Sequence, residues 1–214
     1  MENNVECQLI MIVKLPNFDN ELELYNKGYK MIVGVDEVGC GALAGPVVAG
    51  AVVFPQEFKL DGIKDSKLLS EKKRDSLAES IKDVATQWSV GESSHIEICS
   101  LGLRQATYLA MQRAVQKIKE ADFILVDAWT IPSIHIEQRG IIKGDRTVKS
   151  IAAASIIAKV YRDCLMLRYH KDYSKYCFNE HKGYATKKHK AAIEKFGPCD
   201  IHRIGYKLFQ SKPV

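Results

Sequence analysis

None of the six cysteines (Cys7, Cys40, Cys99, Cys164, Cys177, Cys199) stands in a CxxC pair. That excludes a zinc ribbon and a disulfide scaffold, and it suits a reducing cytosol, so a cytoplasmic location is expected. No apolar run approaches the roughly 18 residues needed to span a membrane, and none is expected to enter one. The apolar stretch at 9–13 is short and follows Glu2 and Glu6 rather than a basic region, which argues against a secretory signal peptide. There is no HExxH, and the six histidines lie at spacings that suggest no zinc site. No internal repeat, low-complexity tract or Gly/Ser linker divides the chain.

What is present is ordinary globular composition with uneven charge. A chain of 214 residues, 46% hydrophobic and 27% charged, can bury one sizeable core and carry a small appendage. Residues 143–214 hold 16 Lys/Arg against 6 Asp/Glu, a net +10, whereas the first 142 hold 15 against 20, a net −5. An acidic-leaning body with a basic C-terminal third points to a polyanionic partner gripped from one side, or to an unevenly charged solvated surface.

The hydrophobic pattern predicts alternating strands and helices. Residues 1–28 form a lead-in, with a short helix over 21–26 capped by Asn20 or Asp19. Strands are expected at 30–36 and 47–54, separated by a glycine-rich turn. Ser70 opens a helix running to about 83, and a strand follows near 87–91. Leu103, Ala106, Ala110, Ala114 and Ile118 make a helical stripe. Strands at 122–127 and 138–143 precede a long helix over 148–169, rich in small residues for close packing on a sheet. A basic helix near 187–195 is stopped by Gly197 and Pro198. The sum is an α/β fold around a mixed sheet, with a body at 29–171 and a basic helical appendage at 172–214.

Two buried strands each end in acid, one in Asp36 and Glu37 and the other in Asp127. Open α/β sheets place ligand sites at such strand ends, although a turn cap is the plainer use of Asp127 alone. Acids converging there would repel and raise each other's pKa unless cations neutralised them, and hard oxygen donors suit Mg²⁺ or Mn²⁺. Asp145, just ahead of the long helix, has a helix cap as its alternative. Asp163 lies four residues after Lys159, and a salt bridge explains it.

The stretch GVDEVGCGALAGP at 34–46 resembles the signature of the ribonuclease HII family. Further blocks follow in that family's order: DSKLLS at 65–70, VDA at 126–128, KGD at 143–145, SIAAASIIAKVYRD at 150–163, and HKGY at 181–184 with Gly197-Pro198 and His202-Arg203 beyond. The resemblance implies a ribonuclease H-like mixed sheet flanked by helices, with a small helical C-terminal appendage. It implies four catalytic, metal-holding carboxylates (Asp36, Glu37, Asp127, Asp145) and leaves Asp163 structural. Two Mg²⁺ or Mn²⁺ ions, about 3.5–4 Å apart, would straddle the scissile phosphate. The implied activity is cleavage of the RNA strand of RNA/DNA hybrids and nicking 5′ of ribonucleotides in duplex DNA. Products would carry 5′-phosphate and 3′-hydroxyl ends, and a monomer would suffice.

For substrate recognition the resemblance implies that backbone groups at Gly39, Cys40 and Gly41 read the 2′-hydroxyl. Tyr184 would stack on the neighbouring sugar, and Lys67 is among the basic residues, with Lys143, Arg146, Lys182, Lys187 and Lys188, that would meet phosphates. One residue departs from the family pattern: Cys40 stands where Arg is usual. A binding module that has lost catalysis, or a ribonuclease H-fold nuclease cutting all-DNA duplexes, are the competing expectations.

Overall fold

The structure is a computed structural model that describes residues 15–206 and Phe209. The apolar stretch at 9–13 and the first half of the lead-in lie outside the described residues. Five strands form one sheet in the order β3-β2-β1-β4-β5: β1 (Ile32–Val38), β2 (Val47–Val53), β3 (Gln87–Ser93), β4 (Phe123–Asp127) and β5 (Glu137–Ile141). β1, β2 and β3 pair antiparallel as a meander, whereas β4 and β5 run parallel to β1. The expected mixed sheet is therefore the one observed.

The helices are α1 (Asp19–Asn26), α2 (Glu71–Val84), α3 (His95–Leu101), α4 (Leu103–Val115), α5 (Lys149–Asp172), α6 (Phe178–His181) and α7 (Lys187–Phe196). Ser70 caps α2 as expected, its hydroxyl accepting the Lys73 N–H. The N-cap expected at Asn20 or Asp19 is not found. α1 starts at Asp19 with Phe18 in the cap position, because the Asn17 side-chain oxygen already takes the Asp19 N–H. α3 was not expected at all. Its capping box, Ser94 with Glu97, stands in the sequence as SxxE.

α4 covers one face of the sheet and α5 the other. Val33, Val35, Ala49, Ala51, Ile124 and Val126 pack with Ala106, Ala110 and Ala114 on the α4 side. Phe123, Leu125 and Ile32 meet Ile151 and Val148 on the α5 side. Gly34 and Gly50 let α5 sit directly on the strands. A Cβ at Gly34 would lie 2.3 Å from the Ser150 carbonyl carbon, and one at Gly50 would lie 2.2 Å from the Ala154 oxygen. Small residues one helical turn apart thus face glycines on neighbouring strands, and any side chain there would lift α5 off the sheet.

Beyond α5, the helices of the C-terminal part gather around Tyr176 and Phe178 with Met166, Ile201 and Ala44. Ala44 belongs to the glycine-rich turn between β1 and β2, so this apolar cluster ties the appendage to that turn. Among the described residues no helix is long and apolar enough to cross a membrane.

Candidate active site

Parallel pairing of β1 and β4 runs through Val35 and Val126, so the next step sets Asp36 beside Asp127 on adjacent strands. Strands lie about 4.8 Å apart, and residues level with each other share a face, here the α5 face. Asp36 is buried. Its carboxylate accepts the Glu37 N–H at 2.8 Å, and the nearby Ser155 hydroxyl of α5 acts to lower its pKa. Burial first, then the charges of Glu37 and Asp127, hold Asp36 well above the usual carboxylate range. Glu37 is also raised, by burial and then by Asp127, with Cys40 and Lys67 acting the other way.

The turn after β5 brings in the fourth acid. Lys143 takes a left-handed conformation (φ 57°) and the Gly144 N–H donates to Asp127 Oδ1 at 2.7 Å. That bond pins the end of β4 to the turn carrying Asp145. Asp145 is buried and raised by burial, then by the charges of Asp127 and Asp65. It does not cap α5: the cap position is Val148, and the Ser150 N–H is taken by Glu21 Oε1 of α1 at 2.8 Å. With the capping role filled from the lead-in, Asp145 is left to face Asp127.

The glycine-rich turn lies alongside. Gly39 has φ 96°, and a Cβ there would meet the Arg162 Nε at 2.3 Å. No side chain can therefore stand between that backbone and the guanidinium. Two buried arginines lace the turn through its carbonyls. Arg162 donates to Pro46 O, Ala44 O and Lys182 O, and Arg203 donates to Gly45 O, Ala42 O and Cys40 O. Gly41 is exposed and its Cα faces open space. Tyr184 is bound to the turn by a bridge to Ala42 and by the Leu43 N–H donating to Gly183 O at 2.8 Å. Its half-buried ring lies under Arg162 and Lys159, at 5.1 and 5.4 Å.

Cys40 turns its sulfur to Glu37 Oε1 (3.6 Å) and Thr107 Oγ1 (3.5 Å). Burial, with Glu37 adding to it, pushes the thiol up to about 11, so it is protonated at neutral pH and a poor nucleophile. Lys67 is exposed, and its charge lowers the pKa of both Glu37 and Asp145. It is set there by Asp65, whose buried carboxylate accepts the Lys67 N–H and pairs with Arg146 Nε at 3.3 Å. Asp163 stands apart, bridged to Lys159 at 2.7 Å and Arg74 at 3.6 Å. Of the other basic residues, Lys182 is buried against Asn179 O and Glu71, and Lys188 pairs with Glu180. Lys187, Lys143 and Arg146 are not buried.

Among the described residues, no group of three or more His, Cys, Asp or Glu side chains stands arranged to hold a metal ion. The four acids nonetheless have the chemistry of a hard-cation site. They are carboxylate oxygens, buried or half-buried, repelling one another, with Lys67 and Arg146 among the charges that offset them. Such donors fit Mg²⁺ or Mn²⁺, which bind through a few carboxylates and fill their remaining positions with water and phosphate oxygens. Sequence reasoning gave no role here to Thr107, nor to Asp65, Ser155, Arg162 and Arg203, although the last four stand in the blocks that carry the family resemblance. An arginine in a helix ordinarily marks a surface, and nothing in local spacing distinguishes one buried against carbonyls.

A family model described as ribonuclease HII matches residues 33–209. A ribonuclease HII of Clostridioides difficile strain 630 is 52% identical over 187 residues, covering 87% of this chain and 73% of that protein. One from Caldicellulosiruptor bescii is 46% identical over 190 residues, covering 88% and 92%. Among solved structures, the PCNA:RNase HII complex from Archaeoglobus fulgidus matches with TM-score 0.71 and 23% identity, over 86% of this chain and 98% of that one. Bst-RNase HIII in complex with Mn²⁺ matches with TM-score 0.60 and 17% identity, over 85% and 68%. At those identities the solved structures speak for the fold alone. The sequence relatives carry the rest, and this chain belongs to the ribonuclease HII family of metal-dependent endoribonucleases.

Proposed function

We propose that the chain hydrolyses the RNA strand of RNA/DNA hybrids and nicks on the 5′ side of ribonucleotides embedded in duplex DNA, acting as a monomer in the cytoplasm. Asp36, Glu37, Asp127 and Asp145 would hold two Mg²⁺ or Mn²⁺ ions. The observation that carries the reading is the meeting of these four acids beside a glycine turn stapled to Tyr184. When bound, such ions would acidify the attacking water and offset charge on the phosphoryl and leaving oxygens. The chain's own part is to keep the acids together against their repulsion. The Gly144 N–H and the Glu37 N–H each hold a carboxylate oxygen in place.

Selectivity for ribose rests on the backbone of Gly39, Cys40 and Gly41, which can approach a 2′-hydroxyl closely. Arg162 and Arg203 fix the shape of that turn, so its free N–H and C=O groups are presented without rearrangement on binding. The Tyr184 ring, clamped under two cations, offers a flat face for the adjacent sugar. Lys67 is poised for a phosphate near the acids. The products would be 5′-phosphate and 3′-hydroxyl ends, with no covalent enzyme intermediate.

The test is cleavage of a labelled duplex bearing one ribonucleotide, with Mg²⁺, with Mn²⁺ and with EDTA. A cation-dependent nick 5′ of the ribonucleotide is expected. Asp36→Asn should lower the rate by at least about a hundredfold, as loss of a metal-holding carboxylate does. Absence of nicking with either cation would overturn the enzyme reading in favour of a binding module. Cutting of an all-DNA duplex would instead point to a different nuclease.

A further inference from the structure

A groove of about 360 Å³ opens between the end of β4 and the first turns of α4. Glu37, Asp127 and Cys40 line it together with Arg104 and Trp129. Trp129 is 66% exposed, a large apolar ring left in water. Its place is set by the backbone: Ala128 takes φ 60°, and the Trp129 N–H donates back to Asp127 O at 2.8 Å. The turn that ends β4 at Asp127 therefore also sets the indole two residues later. The Arg104 guanidinium lies over that ring at 5.9 Å. Among the described residues it engages no hydrogen bond or ion pair.

We infer that Trp129 and Arg104 form a binding subsite for one sugar–phosphate unit of the substrate duplex, next to the bond that is cut. The inference rests on the nuclease reading and adds a substrate contact to it. A planar guanidinium matches a phosphate, and an indole face covers a sugar or an unstacked base. Clustered carboxylates repel a polyanion, so a cation lining the same groove offsets that repulsion where the strand must pass. The plain alternative is a decorative surface pair, and the molecule supplies its own control. Lys82 lies over Trp88 at 5.1 Å, and Trp88 is 42% exposed, but that pair lines no groove with the acids.

The test is binding without cleavage, measured by anisotropy of a labelled duplex bearing one ribonucleotide in EDTA at several salt concentrations. Trp129→Ala should weaken binding by about tenfold, as loss of an aromatic contact to a nucleotide does. Arg104→Ala should weaken it and lower the slope of log K against log salt by about one, the mark of one lost phosphate contact. Trp88→Ala should change neither, and thermal melts should show all three variants folded. Wild-type affinity and slope in both Trp129→Ala and Arg104→Ala would overturn the subsite while leaving the nuclease reading intact. Weakened binding in a protein that never nicks would overturn the nuclease reading and keep the subsite.

Discussion

Cys40 occupies the middle of the glycine turn, where the family resemblance implies Arg. Its protonated thiol touches Glu37 and Thr107 without charge, and Arg203 holds its carbonyl. The proposed backbone readout of a 2′-hydroxyl would survive this exchange, whereas a guanidinium contact to the substrate would not. A hydrogen bond to a charged group is worth about 1.5–3 kcal/mol. Cys40→Arg is therefore expected to be at least as active as wild type, with the gain in kcat/KM larger on a single embedded ribonucleotide than on a long hybrid. Side-by-side kinetics on the two substrates check this. A clear loss would show that the Cys40–Thr107 contact carries a compensating role. At this scale Asp36, Glu37 and Asp127 stood out as acids at the ends of buried strands, where burial demands a reason, whereas Asp145 read equally as a helix cap and was singled out by the family resemblance alone. Trp129 and Arg104 were not legible. They stand in different elements, and only the turn at Ala128 brings the ring to the groove.

α5 is the element on which the site depends, since it packs directly on Gly34 and Gly50 of the acid-bearing sheet and supplies Arg162 to the glycine turn. Its small-residue face was legible as a sheet-packing stripe, and the helix runs from 149 to 172 where 148–169 was expected. Its start was not legible, because the group that caps it comes from 129 residues away: Glu21 accepts the Ser150 N–H in the buried junction between α1 and α5. Burial raises the Glu21 pKa despite the nearby helix N-terminus and Lys149. The hydrogen bond to the Ser150 N–H is what the geometry gives α5 from Glu21. Glu21→Gln keeps the acceptor and is expected to leave the melting temperature nearly unchanged. Glu21→Ala strands the N–H and should cost about 1–2 kcal/mol, or roughly 2–8 °C for a chain of this size. Thermal melts of the two variants separate a capping role for the lead-in from one of mere packing. Equal losses in both would mean that the charge matters.

Across the whole molecule, acid should act with opposite signs at the two ends of the fold. In the appendage, His181, His189 and His202 are buried and in contact, with His181 stacked on His189 at 4.4 Å. Their partners assign the protons. The Cys199 N–H donates to His202 Nδ1, so His202 Nε2 carries hydrogen and donates to His189 Nε2 at 3.0 Å. His189 Nδ1 then donates to the carbonyl of Tyr184 at 2.9 Å. This relay of neutral rings ends on the residue proposed to face the sugar, and a second proton on either ring would set two N–H groups against each other. Burial lowers His189 and His202 to about 4, with the neighbouring histidines adding to the shift, and lowers His181 as well; Glu180, Lys188 and His95 are the charged or titratable neighbours that act on the cluster. The unfolded chain, with ordinary histidines near 6.5, binds more protons over that window, so this stability is complete above about 6.5 and is lost as pH falls toward 4. Asp36, Glu37 and Asp145 are raised, so their contribution is present at low pH and is lost as pH rises through their folded values. Acidification thus relieves the sheet end while it loosens the appendage. Hydrogen exchange resolved by peptide and corrected for intrinsic rates should show 178–196 losing protection between pH 6.5 and 4 while β1 and β4 keep theirs. Parallel loss in both regions, or none in either, would mean that the histidine relay does not govern how Tyr184 is held.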